Sequence, residues 1–378
     1  MLSKRLFNFV FLVGLCAFMS ANVLGQGITL PRTSGAATVS QTVGISTITI
    51  NYSRPNVVSQ QGQDRTDQIW GSVVPYGYNN LGFGTATEAP WRAGANENTT
   101  IEFSNDVKVE GQTLAAGLYG LHYAVFEDGK ATVIFSNKTT AWGSYFYDKK
   151  DDALRVDIQS EGFTQTNVLT YHFVEVGTSE AILALDWEKK RIPVKFEFDT
   201  PELVYQNIKL ELETNPGFQL TSWTAAANYL VQNNIHLDDA LTWASAAVEG
   251  QFFSQKNFNT LSTKSAVLNA MGKTDEAIAV MDEALADPSA TINNYYGYGR
   301  QLIAAKKVDK AMEVFKKANK KWGDHWLAPH GLARVYSASG DYAKALKYEK
   351  TAHTKAPETS KPFLEGYLKS LEEGKDFN

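Results

Sequence analysis

The sequence predicts a multidomain β + α chain, an antiparallel β-sandwich of jelly-roll type followed by an all-α solenoid of repeated helix hairpins. Residues 38–199 alternate apolar and polar side chains with a period of two, as half-buried strands do. Beyond Pro201 the apolar period becomes helical. Alanine pairs then recur every 34 residues, at Ala277 and Ala284, Ala311 and Ala318, and Ala345 and Ala352.

The β-rich part covers residues 30–199, and its predicted strands are separated by short turns. Asp128-Gly129 is a strong hairpin signal, because glycine accepts the positive φ that a tight turn requires. No helical pattern interrupts the strands, which favours an antiparallel sandwich, with a barrel as the alternative. The clearest strands cover residues 48–52, 100–103, 107–109, 118–126, 131–135, 154–159, 168–176, 181–187 and 193–198.

The helical part is predicted to begin with a connecting helix over residues 202–217, which stops at Pro216-Gly217. Residues 218–373 then hold one helix hairpin, three repeats in register at 258–291, 292–325 and 326–357, and a polar capping helix. Gly299 and Ala333 supply small side chains where the paired helices cross. This pattern resembles tetratricopeptide repeats, a resemblance that implies a partner-binding solenoid with a groove lined by first helices.

The first 25 residues have the pattern of a signal peptide. Lys4 and Arg5 precede an apolar run, and small residues lead to a cleavage site expected after Gly25. A single membrane anchor is the alternative, but the apolar run is short for a bilayer. Cys16, the only cysteine, lies in this segment, and the large Leu15 before it argues against lipid attachment. We therefore expect an exported protein, periplasmic or secreted, with no stable membrane span after cleavage.

Composition and motifs give little support to catalysis. The net charge is −5 with no basic stripe, so nucleic acid is a poor candidate partner. The sequence has no zinc-ligand spacing, phosphate-binding glycine loop, nucleophile elbow or dinucleotide fingerprint. We expect no metal and no cofactor, and an enzyme is the less favoured class.

The register of the repeats places a set of polar residues on the groove side of the first helices. Two arginines and several amides suit an acidic peptide segment or a terminal carboxylate, which arginine binds through two parallel hydrogen bonds. The alternative is that any solvated groove of this kind is polar. The predicted partner-binding residues are Asn259, Asn269, Asn293, Tyr296, Arg300, His330 and Arg334.

The β-rich part resembles a bacterial family catalogued as domain of unknown function 2911, found in exported proteins of the Bacteroidetes type. The resemblance covers residues 30–199, and its most specific element is Trp-Arg-Ala-Gly-Ala-Asn-Glu at residues 91–97. The stretch between Tyr76 and Trp91 is longer here than in the family. The family has no established activity, so the resemblance names the domain without explaining it. Further matching segments lie at residues 53–55, 69–71, 74–77, 103–107, 116–120 and 141–144.

Two interpretations apply to the charged and aromatic residues of these segments. In the first, an arginine pairs with Glu97 and ties a loop to the sheet, because a buried charge without a partner is costly. In the second, aromatic side chains and convergent polar groups form a ligand cleft. The residues of that possible cleft are Arg54, Trp70, Tyr76, Trp91, Arg92, Asn96, Glu97 and Trp142.

Two functions from different classes follow from these patterns. The first is an exported, non-enzymatic binding or scaffold protein whose solenoid groove binds a protein or peptide partner. The second is a carbohydrate-binding or glycan-active protein that uses the aromatic cleft of the β-domain, a suggestion based on fold analogy alone.

Overall fold

The computed structural model describes residues 31–378, which divide into two compact units at the Thr200–Pro201 bond. The signal peptide predicted for residues 1–25, with Cys16, lies outside the described residues. Within residues 31–378, no helix combines the length and the apolar character needed to cross a membrane.

The first unit contains ten strands in its described part. All neighbouring strands pair antiparallel. One sheet has the order β1-β2-β3-β6-β7-β8 and the other the order β5-β4-β10-β9. In chain order the strands are β1 (Gly35–Val43), β2 (Ser46–Arg54), β3 (Thr100–Phe103), β4 (Val107–Val109), β5 (Gln112–Leu114), β6 (Gly117–Val125), β7 (Lys130–Ser136), β8 (Asp152–Gln159), β9 (Glu161–Val176) and β10 (Glu180–Glu197).

The two sheets pack face to face through aromatic side chains. Phe103 of β3 meets Phe196 of β10 with ring centroids 5.3 Å apart, and Tyr52 of β2 meets Tyr171 of β9 at 4.8 Å. All four side chains are buried. The expected antiparallel sandwich is therefore confirmed.

Two details of the strands differ from the sequence prediction. The separate strands expected at 181–187 and 193–198 are one continuous strand, β10. Its register shifts on both sides of Glu188, whose φ of 54° is left-handed, so a bulge interrupts the alternation that the sequence shows. Strands β1 and β5 were not predicted, and Glu110-Gly111 joins β5 to β4 with positive φ at both residues.

Residues 55–99 connect β2 to β3 without a regular strand, far beyond the usual length of such a connection. Isolated bridges fix the segment to the sandwich, Asn56 to Val168 and Trp91 to Tyr123. Connections of this length are commonly functional, and this one encloses a cavity described below.

The second unit is entirely helical in regular structure. Helix α1 (Thr200–Leu212) is followed by four hairpins and a final helix. The hairpins pair α2 with α3, α4 with α5, α6 with α7, and α8 with α9, and α10 packs on α9. Their bounds are α2 (Leu220–Asn233), α3 (Leu237–Val248), α4 (Phe258–Ala270), α5 (Thr274–Ala286), α6 (Ile292–Ala304), α7 (Val308–Trp322), α8 (Leu327–Ala338), α9 (Tyr342–Lys355) and α10 (Lys361–Glu372).

The repeated alanines lie at the helix contacts, and all six are buried. The first helices also contact one another, as α6 contacts α8. Between these two, the Phe315 ring of α7 is buried against Gly299 and Gly331, where a Cβ would come within 2.3 Å and 2.2 Å of the ring. Small residues are thus required at the crossing, and the tetratricopeptide-like solenoid is confirmed.

Candidate functional site

A cluster of polar and aromatic side chains lies on the face formed by α4, α6, α8 and α10, which we call the A-face. Tyr296 of α6, His330 and Arg334 of α8, and Tyr367 of α10 form it, and we call it the Arg334 cluster. The His330 ring stacks on Tyr296 and on Tyr367, in both cases with centroids 5.5 Å apart. The Arg334 guanidinium lies over the same two tyrosine rings, 5.9 Å and 5.4 Å from their centroids.

Hydrogen bonds fix the orientation of these side chains. Arg334 Nε donates to the Tyr296 hydroxyl at 2.8 Å and to His330 Nε2 at 3.3 Å. Since Nε2 accepts, Nδ1 is the ring atom that donates to the carboxylate of Glu349, 2.8 Å away on α9. Burial raises the pKa of Tyr296 despite the nearby Arg334 charge, so its hydroxyl stays protonated. The result is a fixed arginine flanked by aromatic rings.

Residues 376–378, which follow α10, lie on this cluster, and we call them the docked segment. Ser337 Oγ of α8 donates to Asp376 Oδ1 at 2.6 Å and accepts from the Phe377 backbone N–H at 3.2 Å. Asn378 Nδ2 donates to the Arg334 carbonyl at 2.9 Å, while Arg334 Nη1 donates to Asn378 Oδ1 at 3.3 Å. Each of the three residues is therefore hydrogen-bonded to α8, Asp376 and Phe377 through Ser337 and Asn378 through Arg334.

The Phe377 ring makes the apolar part of the contact. It stacks on Tyr367 with centroids 4.8 Å apart, and Arg334 Cζ lies 5.3 Å from its centroid. Burial alone would raise the pKa of Asp376, but hydrogen bonds from Ser337 and Asn378 outweigh it and lower this pKa. Asp376 is therefore ionised. The docked segment is held through a carboxylate, an aromatic ring and an amide side chain, as a bound peptide would be.

The structure distributes the predicted groove residues unevenly. Asn259 and Asn269 of α4, with Asn293 and Arg300 of α6, are exposed. His330 and Arg334, by contrast, are only 2% and 8% exposed. The docked segment, Tyr367 and Glu349 surround them, and none of these was predicted from the sequence. The only available signal was the presence of aromatic residues in and after a polar capping helix.

The β-unit contains a cavity of about 500 Å³ beside the connection between β2 and β3. Trp91 and Trp187 line it, with rings stacked at 5.9 Å and 19°. Trp70 packs edge-on against both, at 5.8 Å and 5.9 Å. Polar side chains on its wall include Arg65, Arg92, Asn96 and Ser144.

The loop that carries Trp91 and Arg92 is held in an unusual conformation. Ala93 and Asn96 have φ of 53° and 59°, the left-handed region that a residue other than glycine seldom occupies. Arg92 Nη1 donates to the Asn96 carbonyl at 2.5 Å, and its guanidinium lies 5.1 Å from the centre of the Tyr145 ring. Strain of this kind, stabilised by surrounding contacts, is frequent at functional sites.

One serine–histidine pair adjoins the cavity. Ser144 Oγ lies 3.0 Å from His122 Nδ1, and both residues are buried. Burial and, next, the nearby Arg92 charge together lower the pKa of His122 to about 3. An imidazole with this pKa is a poor proton acceptor, so the pair is badly suited to activating the serine hydroxyl.

The predicted cleft is assembled only in part. Trp91, Arg92 and Asn96 line the cavity and Trp70 packs behind its tryptophans, but Tyr76 and Trp142 are absent from its lining. Arg65, Ser144 and Trp187 line it without having been predicted. Arg65 carries no periodicity or spacing that would have marked it.

The arginine–glutamate pair expected among Arg54, Arg92 and Glu97 does not form. Glu97 pairs with Arg32 at 2.5 Å in an exposed ion pair. Arg54 instead donates to the Leu169 carbonyl at 3.0 Å and to Thr170 Oγ1 at 2.7 Å, which ties β2 to β9. The loop that carries Trp91 and Arg92 is instead held through its backbone, because the Ala93 carbonyl accepts from the Thr99 and Tyr171 hydroxyls.

Asp148, Asp151 and Asp152, an acidic group in the sequence, stabilise local structure. Asp148 caps the turn at Lys150, and Asp152 pairs with Arg155 at 2.5 Å. Across residues 31–378, no group of three or more histidine, cysteine or acidic side chains is placed to hold a metal ion.

Comparison with family models matches residues 34–196 to the family described as a protein of unknown function, DUF2911. The resemblance of the β-unit to that family is therefore confirmed. The search of curated proteins found no match.

Similar solved structures include tetratricopeptide repeat proteins. One from Parabacteroides merdae has 16% identity and a TM-score of 0.34, covering 46% of this chain and 67% of its own. YrrB, described as having an unusual peptide-binding site, has 16% identity and a TM-score of 0.30, with coverage of 45% and 85%. The MamA protein has 18% identity and a TM-score of 0.32, with coverage of 42% and 83%. No function is transferred from them to this chain.

Proposed function

We propose that this protein is an exported scaffold whose helical unit binds a segment of a partner protein on the A-face at the Arg334 cluster. The observation that carries the proposal is the docked segment, since the face already holds three consecutive residues through side-chain-specific contacts. A surface that fits one peptide by hydrogen bonds and ring stacking has the chemistry to bind another of the same type.

The contacts define the partner segment by its chemistry. Its acid accepts from Ser337, its aromatic ring packs against both Arg334 and Tyr367, and its amide side chain bonds to Arg334 at two points. Aromatic and arginine side chains that are fixed and nearly buried are the usual source of binding energy at interfaces. We therefore expect an acidic residue followed by an aromatic residue and an amide.

Export is part of the proposal and rests on the pattern of residues 1–25 alone. It is tested by fractionating cells that express the chain and sequencing the mature N-terminus. An exported product that begins at Gln26 supports it, and an uncleaved product in the cytoplasm contradicts it.

Glycan binding, the other function considered, has weaker support. Exposed aromatic platforms were its basis, and Tyr76 and Trp142 are absent from the cavity lining. No contact in the described residues favours a sugar over other small ligands.

A labelled peptide tests the proposed function directly. Its sequence is that of residues 372–378, Glu-Glu-Gly-Lys-Asp-Phe-Asn, blocked at both ends. The receptor is the full chain with Asp376→Ala and Phe377→Ala, which removes the internal competitor. Fluorescence anisotropy should show saturable binding, and a peptide with alanine in place of its aspartate and phenylalanine should bind at least about tenfold more weakly.

Adding Ser337→Ala to that receptor removes the hydroxyl that contacts both the acid and the backbone, without changing a charge. We expect the affinity to fall by about tenfold, while Ser339→Ala, at an exposed serine just after α8, leaves it unchanged. Equal affinity for the two peptides, or no saturable binding by the folded receptor, contradicts the proposal.

A further inference from the structure

The charged side chains on the wall of the cavity in the β-unit are all positive. Arg65 and Arg92 are on its wall, and none of the described residues that line it is acidic. Neither arginine forms an ion pair with any residue in the range 31–378, and the nearby Glu97 is engaged by Arg32. The wall therefore carries two positive charges without a neutralising carboxylate.

Both guanidiniums have N–H groups left over after their hydrogen bonds to the protein backbone. Arg65 donates from Nε to the Val57 carbonyl at 3.1 Å and from Nη2 to the Asn56 carbonyl at 2.6 Å. Arg92 donates from Nη1 to the Asn96 carbonyl. Since each guanidinium has five N–H groups, both arginines can bind a further acceptor while remaining anchored.

The wall also contains a buried donor that has no acceptor within the described chain. Trp187 lines the cavity at 1% exposure, and its Nε1 has no hydrogen-bond partner among residues 31–378. A buried N–H of this kind is costly unless something accepts from it. A bound molecule could supply the acceptor that this N–H lacks.

The remaining wall is apolar. Trp91, Val74 and Leu81 line the same space, together with Pro75 and Ala89. A volume of about 500 Å³ lies in the range of small-molecule pockets, which are mostly apolar with a few fixed polar groups. The occupant therefore needs an apolar body as well as an anionic group.

The charge of Arg92 also affects His122, a buried residue beside the cavity. After burial, the Arg92 charge is the second cause that lowers the pKa of His122, whose ring contacts Ser144 on the wall. A positive potential that disfavours a second cation at this place favours an anion there.

We propose that this cavity binds a small organic anion, with its carboxylate or phosphate held by Arg65 and Arg92 and its apolar body against Trp91. Arginine forks match the geometry of both anionic groups, so the two share one recognition chemistry. The site is independent of the peptide site in the helical unit and does not rest on it.

Matched probes separate charge from shape. Phenylacetate and phenyl phosphate carry the two anionic groups on an aromatic body, 2-phenylethanol has the body without the charge, and inorganic phosphate has the charge without the body. Titration calorimetry on the full chain, with tryptophan fluorescence as a second readout, should show saturable binding of at least one aromatic anion. The neutral alcohol and inorganic phosphate should each bind at least about tenfold more weakly. The preferred anion identifies which group the site takes.

Variants then locate the binding. Arg65→Gln with Arg92→Gln should weaken the preferred probe by at least about tenfold, whereas Lys130→Gln, at the exposed first residue of β7, should not. Because the two arginines also bind backbone carbonyls, thermal melting is recorded for each variant. Should the glutamine pair unfold, Ala95→Phe replaces it, since Ala95 lines the cavity and a larger side chain fills it without removing a charge.

The proposal is overturned by any of three results. The first is the absence of saturable binding of both aromatic anions to the folded wild type. The second is equal affinity for 2-phenylethanol. The third is undiminished binding by the folded double glutamine variant. If the double glutamine variant unfolds, undiminished binding by Ala95→Phe is the equivalent result.

Discussion

The Arg334 guanidinium lies over the Phe377 ring, with Cζ 5.3 Å from the ring centroid, and it also donates to the side chain of Asn378. A residue that the repeat register assigns to partner binding is therefore engaged by the chain itself. Any partner segment at the Arg334 cluster has to compete with residues that are tethered only a few positions from α10. Such tethering gives the docked segment an effective concentration in the millimolar range.

We expect Phe377→Ala to raise the affinity for the labelled peptide of residues 372–378 by at least about tenfold over wild type. The substitution removes the ring that stacks on Tyr367 and Arg334, so the internal competitor binds less well. Fluorescence anisotropy on the full chain measures the change.

Phe363→Ala is the matched control, because Phe363 is an exposed phenylalanine at the start of α10, 71% exposed. It should leave the affinity at the wild-type value. If wild type and Phe377→Ala bind the peptide equally well, the docked segment does not compete for the site.

Arg334 and Arg300 occupy equivalent positions one repeat apart, yet their environments differ. Arg334 is nearly buried and bonded to Tyr296 and His330, whereas Arg300 is exposed. Arg334→Ala should lower the free energy of unfolding of the helical unit by about 2 kcal/mol, because the buried hydroxyl and imidazole lose their donor. Arg300→Ala should change it by less than about 0.5 kcal/mol.

Urea unfolding followed by hydrogen-exchange mass spectrometry of α8 peptides measures both free energies separately from the β-unit. Equal losses in the two variants would show that Arg334 contributes no more than a surface arginine.

The repeat could be predicted from the sequence because its constraint is local and periodic. Every helix crossing needs small residues, and a period of 34 places Tyr296 and His330 on the same face, where their rings stack. The covering of that face could not be predicted in this way. Residues 376–378 belong to no repeat, and their position depends on a chain reversal after α10 that leaves no periodic signal.

Gly299→Ala should destabilise the helical unit by about 1–3 kcal/mol, although alanine normally favours a helix. A Cβ at this position would lie 2.3 Å from Phe315 Cζ, and the buried ring has little room to move. The urea assay with peptides from α6 and α7 reports the loss, and Phe315→Leu in the same chain should restore part of it.

Gly297→Ala on the same helix is the control, because no atom lies within 4 Å of the Cβ it would add. It should stabilise α6 by about 0.5–1 kcal/mol through helix propensity. Destabilisation of similar size in both variants would contradict the packing argument.

In the β-unit, too, the periodic parts could be predicted from the sequence and the parts without a period could not. Alternating residues predict β2 and β3 well, because one face of each strand must be buried. Most of the residues that line the cavity belong to the segment 55–99, which shows neither the strand period of two nor the helical period. Arg65 and Trp187 are far apart in sequence and meet there only through the tertiary fold.

His122 should make the stability of the β-unit depend on pH. Its pKa falls from 6.5 to about 3 on folding because of burial and, next, the Arg92 charge. Between these pH values the unfolded chain binds a proton that the folded chain does not, so the stability is complete above pH 6.5 and is lost as the pH falls. From pH 7.5 to pH 5 this residue should account for about 2 kcal/mol of lost stability.

Urea unfolding followed by hydrogen exchange of β6 and β7 peptides, at pH 7.5 and pH 5, measures that loss. His122→Gln cannot titrate and keeps an amide that can bond to Ser144, so its loss over the same interval should be smaller by about 2 kcal/mol. Other acid-sensitive groups, such as Asp186 held by Arg191, are common to both proteins and cancel in the difference. Identical losses in wild type and variant would mean that His122 is protonated as readily in the folded chain as in the unfolded one.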